Sequence, residues 1–89
     1  MKSETNPKFW KAFNKLPPSI QETAEKAYQI WQNDPYHSSL KFKQIHAVKP
    51  IYSVRIGLDW RAVGIKEGNT MIWFWIGSHS DYDKIIAQL

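Results

Sequence analysis

The run Met71-Ile72-Trp73-Phe74-Trp75-Ile76 constrains this chain more than any other segment. Successive side chains of a strand point to opposite faces, and here neither set is polar. Such a strand is stable only when covered on both sides, which places it centrally in a sheet. The turn Glu67-Gly68-Asn69 precedes it, and the spacing predicts the strand from Thr70 to Ile76. Upstream, Tyr52, Val54 and Ile56 alternate with Ser53 and Arg55, and Leu40 and Phe42 alternate with Lys41 and Lys43. Gly57-Leu58-Asp59 reads as a turn, followed by a strand from Trp60 to about Lys66. Ser78 is placed to cap a short C-terminal helix, with Asp81 as a shorter version of the capping-box acid.

Before Pro35 the period is helical. Asn6-Pro7 resembles an N-cap followed by proline in the first turn, where its missing N–H does no harm. Phe9, Phe13 and Leu16 then fall on one helix face. Pro17-Pro18 ends that helix and opens a second, with Ile20, Ala24, Ala27, Tyr28 and Trp31 on one stripe. Asn33-Asp34-Pro35 stops it. Two helices followed by hairpin-connected strands imply an α+β fold with antiparallel pairing and the helices on one face. The first five residues are polar, and pattern alone assigns no strand there.

With 89 residues the chain is expected to form one domain over residues 1–89. A domain of this size buries only about 60–65% of its unfolded surface, so it needs a dense core. Five Trp, four Tyr and four Phe supply one. There is no cysteine, which removes disulfides and thiolate chemistry and fits a reducing compartment. The N-terminus lacks the apolar region of a secretory signal, and no apolar run is long enough to span a bilayer. A cytoplasmic protein without membrane attachment is expected. The net charge of +4 favours anionic partners, although placement of the charges matters more than their sum.

Three chemistries find no motif. His37, His46 and His79 lack ligand-type spacing with carboxylates, so neither a metal nor any other cofactor is expected. Gly57, Gly64, Gly68 and Gly77 are isolated, so there is no phosphate loop, and no Gly-x-Ser-x-Gly elbow occurs. What remains is polar residues on strands and strand ends. Lys41 and Lys43 share a face by the period of two, as do Ser53 and Arg55, and Arg61 opens the next strand. Across antiparallel strands they can converge, or each can be an ordinary solvated side chain. His79 is either a general acid or base or simply a helix-start histidine. Tyr82 can pack against the sheet. Trp73 and Trp75 read as core, whereas Trp60, beside Arg61, is kept as an RNA contact.

The stretch from Tyr52 to Val63, with Arg55, a turn and then Trp60-Arg61, resembles the paired central strands of RelE/ParE-superfamily toxins. Those carry a basic residue on one strand and an aromatic-Arg pair opening the next. The Leu16-Pro17-Pro18 break, Leu40-Lys41-Phe42-Lys43 and the ending from Trp75 to Tyr82 are also similar. The resemblance implies two N-terminal helices packed on an antiparallel sheet of about four strands, often with a short first strand, and a short C-terminal helix. RelE-like members cut mRNA on the ribosome without a metal: the 2′-OH attacks the adjacent phosphate and leaves a 2′,3′-cyclic phosphate or a 3′-phosphate. By that likeness Arg55 and Arg61 stabilise the phosphate, while His79 and Tyr82 match positions after the last core strand. Lys41, Lys43 and Trp60 would contact RNA. Ser53 departs from the family, because RelE itself has lysine at that strand position, and the loop from His79 to Tyr82 is shorter.

The resemblance therefore implies a toxin of a type II toxin–antitoxin system, with mRNA and the ribosome as targets and an antitoxin as partner. ParE-like members use the same fold to inhibit DNA gyrase without nuclease chemistry, and a relic that only binds its antitoxin is a further alternative. An acidic antitoxin segment that folds on binding is expected over Arg55 and Arg61.

Overall fold

Asn6 starts the first helix by accepting the Phe9 N–H on its side-chain oxygen at 3.1 Å, with Pro7 in the first helical position. The computed structural model describes all 89 residues. Strand β1 covers Lys2–Thr5, helix α1 Pro7–Phe13 and helix α2 Pro18–Asn33. A 3₁₀ turn at Ser38–Leu40 leads to β2 (Lys43–Gln44), β3 (Ile51–Ile56), β4 (Trp60–Glu67), β5 (Thr70–Ser78) and helix α3 (His79–Ala87). Helix α1 stops before Leu16. The Gln21 side chain donates to the carbonyls of Phe13 and Leu16 at 3.1 and 3.2 Å, tying α2 to the segment that follows α1. None of the helices is long and apolar enough to cross a membrane.

The sheet order is β1-β5-β4-β3-β2. The antiparallel part runs as the alternation predicts, through tight turns at Gly57 (φ +60°) and Gly68 (φ +58°), where glycine carries no Cβ penalty. Strand β5 has a partner on each side and core on each face, as its uninterrupted apolar run requires. Its register contains a bulge: Val63 pairs with Trp75 but Gly64 with Trp73, so Phe74 is an extra residue. The bulge lets Trp73 and Ile76, three apart, both enter the main core, while Trp75 packs on the other face. At Gly64 an added Cβ would lie 2.8 Å from the Met71 methyl and 2.9 Å from the Trp73 ring, so the bulged strand needs glycine opposite it.

Three features differ from the sequence pattern. Lys2–Thr5 is a strand after all, pairing parallel with β5 from Lys2–Thr70 to Thr5–Trp73. Its polarity suits an edge, and its hydroxyls accept from two indoles: Trp73 Nε1 donates to Ser3 at 3.1 Å and Trp10 Nε1 to Thr5 at 2.8 Å. Second, Lys41 is not in a strand. It follows the 3₁₀ turn in a left-handed conformation (φ 48°, ψ 40°), and β2 begins only at Lys43. Third, α3 lies on the sheet face opposite α1 and α2. There Tyr82 packs on Ile51 and Val63, forming a second small core. The main core, under α1 and α2, centres on Trp31 and Trp73, whose rings meet edge to face at 5.4 Å.

Candidate functional site

Alternation on β3 divides its side chains between two environments. Tyr52, Val54 and Ile56 face the helical hairpin, and Ser53 and Arg55 face away. The register then assembles the away-facing set: Arg61 is opposite Arg55, and Lys43 is opposite Ser53. With Lys41 and Phe42 they line a hollow of about 380 Å³. It holds four cations and no carboxylate. The ion pairs of the molecule lie elsewhere, at Glu22–Lys26, His79–Asp83 and Asp81–Lys84. Like charges directly opposite each other on antiparallel strands destabilise the pairing. Each guanidinium is steadied by a local carbonyl: Arg55 Nε donates to Gly57 O at 2.9 Å, and an Arg61 terminal N–H to Trp60 O at 2.9 Å. Their other N–H groups are left for a ligand, in the fork geometry that suits phosphate.

Beneath the hollow lies Tyr82. Ser78 caps α3 by accepting the Asp81 N–H at 3.1 Å, and the His79 N–H donates to Asp59 O at 2.6 Å, tying the helix start to the β3–β4 turn. This sets Tyr82, on the first turn, against the sheet. Its hydroxyl donates to Ser53 Oγ at 3.4 Å, and both residues are buried. The Arg61 guanidinium sits 6.0 Å from the Tyr82 ring centroid, at the outer range of a cation–π contact. The half-exposed His79 ring is 5.8 Å from the same ring, with Nε2 3.9 Å from an Asp83 carboxylate oxygen.

The structure thus brings together Lys41, Lys43, Arg55 and Arg61 in the hollow, with Tyr82 below Arg61 and His79 one ring further out. It does not bring Trp60 there. Trp60 pairs with Ile56 and packs against the main core on the opposite face. The sequence puts Ser53 on the face of Arg55 and marks it as a departure from lysine; its burial and its hydroxyl partner depend on α3 folding back. A larger opening, about 510 Å³, lies on the other face between α1, α2 and the sheet. Aromatic side chains such as Phe9, Trp10, Tyr28 and Trp31 dominate it, and its charged residues are Glu4 and Glu25.

A family model described as a ParE-like toxin domain matches residues 18–84. No curated protein sequence matches the chain significantly. Among solved structures, the RelB-RelE antitoxin–toxin complex from Methanococcus jannaschii aligns at a TM-score of 0.73 and 22% identity, over 91% of this chain and 96% of that one. YafQ from E. coli strain BL21(DE3) gives 0.73 and 12%, over 91% and 96%. The YoeB/ParE toxin from Agrobacterium tumefaciens gives 0.67 and 15%, over 89% and 99%. The fold is accordingly that of the RelE-like toxins, an α+β architecture with the helical hairpin on one face of the sheet. By its sequence, the chain belongs to the ParE-like toxin domain family.

Proposed function

We propose that this toxin is an mRNA endoribonuclease that works on the ribosome without a metal. The observation that carries the reading is the hollow of four cations with no countercharge, set on the face of the sheet. In such a reaction the 2′-oxygen attacks the adjacent phosphorus, the bond to the 5′-oxygen breaks, and negative charge builds on the phosphorane oxygens. Arg55 and Arg61 are placed to stabilise that charge, in the manner of preorganised donors. The 2′-OH gives its proton to a base and the departing 5′-oxygen takes one from an acid, and His79 is assigned to this proton exchange. Tyr82 contributes its ring as support for Arg61, because its hydroxyl is buried on Ser53.

Induction of the wild-type chain and of Arg61→Ala and His79→Ala variants, with mapping of mRNA 5′ ends, tests this directly. Codon-phased cuts are expected with wild type alone. Growth arrest without cuts would refute the ribonuclease.

A second reading, inhibition of DNA gyrase as a protein ligand, draws on the ParE-like family model and on Ser53 in place of a lysine. Normal supercoiling at excess toxin would eliminate it. Under both readings the protein acts in the cytoplasm. Its partner is an antitoxin, as in the RelB-RelE complex of the M. jannaschii relative. An acidic antitoxin segment covers Arg55 and Arg61, matching the hollow's charge. A complex that left both arginines exposed to solvent would contradict this.

A further inference from the structure

The opening of about 510 Å³ between α1, α2 and the helix-facing side of the sheet takes no part in the reading above. Its size is that of a small-molecule site, which commonly spans about 300–1,000 Å³. Val54, Ile56 and Ala62 form its floor, and two exposed rings stand at its sides, Trp10 on α1 and Tyr28 on α2. Both rings are held in place. Thr5 accepts the Trp10 indole N–H at 2.8 Å, and Tyr28 stacks on buried Trp31 with ring centroids 6.1 Å apart. Rings already fixed need little ordering when a ligand arrives, and their faces attract cations.

The charges in this groove run against the composition. The chain carries 12 Lys and Arg against 8 Asp and Glu, yet no cation lines the groove and two carboxylates do, Glu4 from β1 and Glu25 from α2. Neither belongs to an ion pair of the molecule. An independent observation concerns Trp31, which is 1% exposed and lines the same groove. Its Nε1 is the one buried side-chain polar atom without a partner. The other two indoles in the lining, Trp10 and Trp73, each donate to a hydroxyl, on Thr5 and Ser3. Trp31 has no such acceptor, and a buried donor left unpaired is destabilising. The carboxylates call for a cation, and the indole N–H calls for an acceptor.

We propose that this groove is a binding site for a small organic amine. Its ammonium faces Glu4 and Glu25, its apolar body lies between Trp10 and Tyr28, and an oxygen on it accepts from the Trp31 N–H. An anionic ligand would meet two carboxylates, and a purely apolar one would leave all three polar groups unused. The site lies across the sheet from the cationic hollow and is independent of the ribonuclease reading.

The probe is tyramine, which joins an aromatic ring, an ammonium and a phenolic oxygen, titrated into the full isotope-labelled chain and followed by NMR. It is expected to bind with a dissociation constant on the order of 1 mM or tighter and to move the Trp31 indole N–H signal. Phenethylamine lacks the oxygen and should bind about two- to tenfold more weakly, moving that signal less. Hydroxyphenylacetate has a carboxylate in place of the amine and should bind at least about tenfold more weakly. Glu4→Gln combined with Glu25→Gln should weaken tyramine about three- to tenfold and leave Tm within about 2 °C, since both residues are exposed. Equal binding of tyramine and hydroxyphenylacetate, unchanged tyramine affinity in the double variant, or a Trp31 signal that stays in place would each overturn the proposal. So would an absence of binding at about 10 mM, which would leave the groove to a partner chain. A dimer by light scattering that Trp10→Ala dissociates would give the groove to a second copy and overturn the proposal as well.

Discussion

The two faces of the sheet are made by the same strands and serve opposite ends. Toward α1 and α2, β3 presents Tyr52, Val54 and Ile56 to a core of large aromatics, and burial there holds the fold. Toward the hollow the same strand presents Ser53 and Arg55, and the like charges there weaken the fold. The openings differ accordingly. The groove between the helices is apolar with acidic charges, and the hollow is cationic throughout. Each face also bears one uncompensated feature. Trp31 Nε1 is buried beneath the helices without a partner, and Lys41 is strained beside the hollow. Apolar packing and uncompensated positive charge thus lie on opposite sides of one layer.

Substitutions can break that division. The largest effect is expected from Trp73→Ala, which removes a main-core ring that packs on Trp31 and bonds to Ser3. A loss of about 3–5 kcal/mol in urea unfolding is expected, enough to unfold a chain this small. A loss under about 1 kcal/mol would mean that the helix face is not the stabilising one. Arg61→Ala should show the opposite profile. Cleavage in the 5′-end mapping should fall by about 10²–10³-fold, the scale of one lost charge-stabilising donor. Its urea midpoint should be unchanged or slightly higher, since a like-charge pair is removed.

Two smaller tests sharpen the comparison. Gly64→Ala should cost about 1–3 kcal/mol by overpacking, because its Cβ would strike Met71 and Trp73. A neutral result by calorimetry would show that the bulge at Phe74 relaxes freely. The smallest effect concerns the hydroxyl pair beneath the hollow. Ser53→Ala and Tyr82→Phe should each cost about 0.5–1.5 kcal/mol, and the double variant less than their sum. Strict additivity in the cycle would show that the 3.4 Å contact contributes nothing.

Much of the fold was legible because local rules act on neighbouring residues. Asn6 and Ser78 cap helices as their side chains predict, the proline pair separates α1 from α2, and the glycine turns close both long hairpins. The site was legible in part. The period of two puts Ser53 and Arg55 on one face, and hairpin pairing brings Arg61 opposite Arg55. Lys41 reaches the same hollow by a different route, through a left-handed turn that no alternation encodes. Trp60 falls on the side away from the hollow, because its register partner is core-facing Ile56.

The sequence by itself determined the order of elements, their caps and turns, and the sign of the charge, since each depends on residues within a few positions of one another. Tertiary structure alone decided that the polar N-terminus pairs parallel to β5, that Phe74 bulges and that α3 lies on the outer face with Tyr82 on Ser53. It also decided that four separated cations share one hollow. Those outcomes join residues far apart in the chain. Strand register, close packing of large rings and the shape left between layers select them, and no local period carries that information.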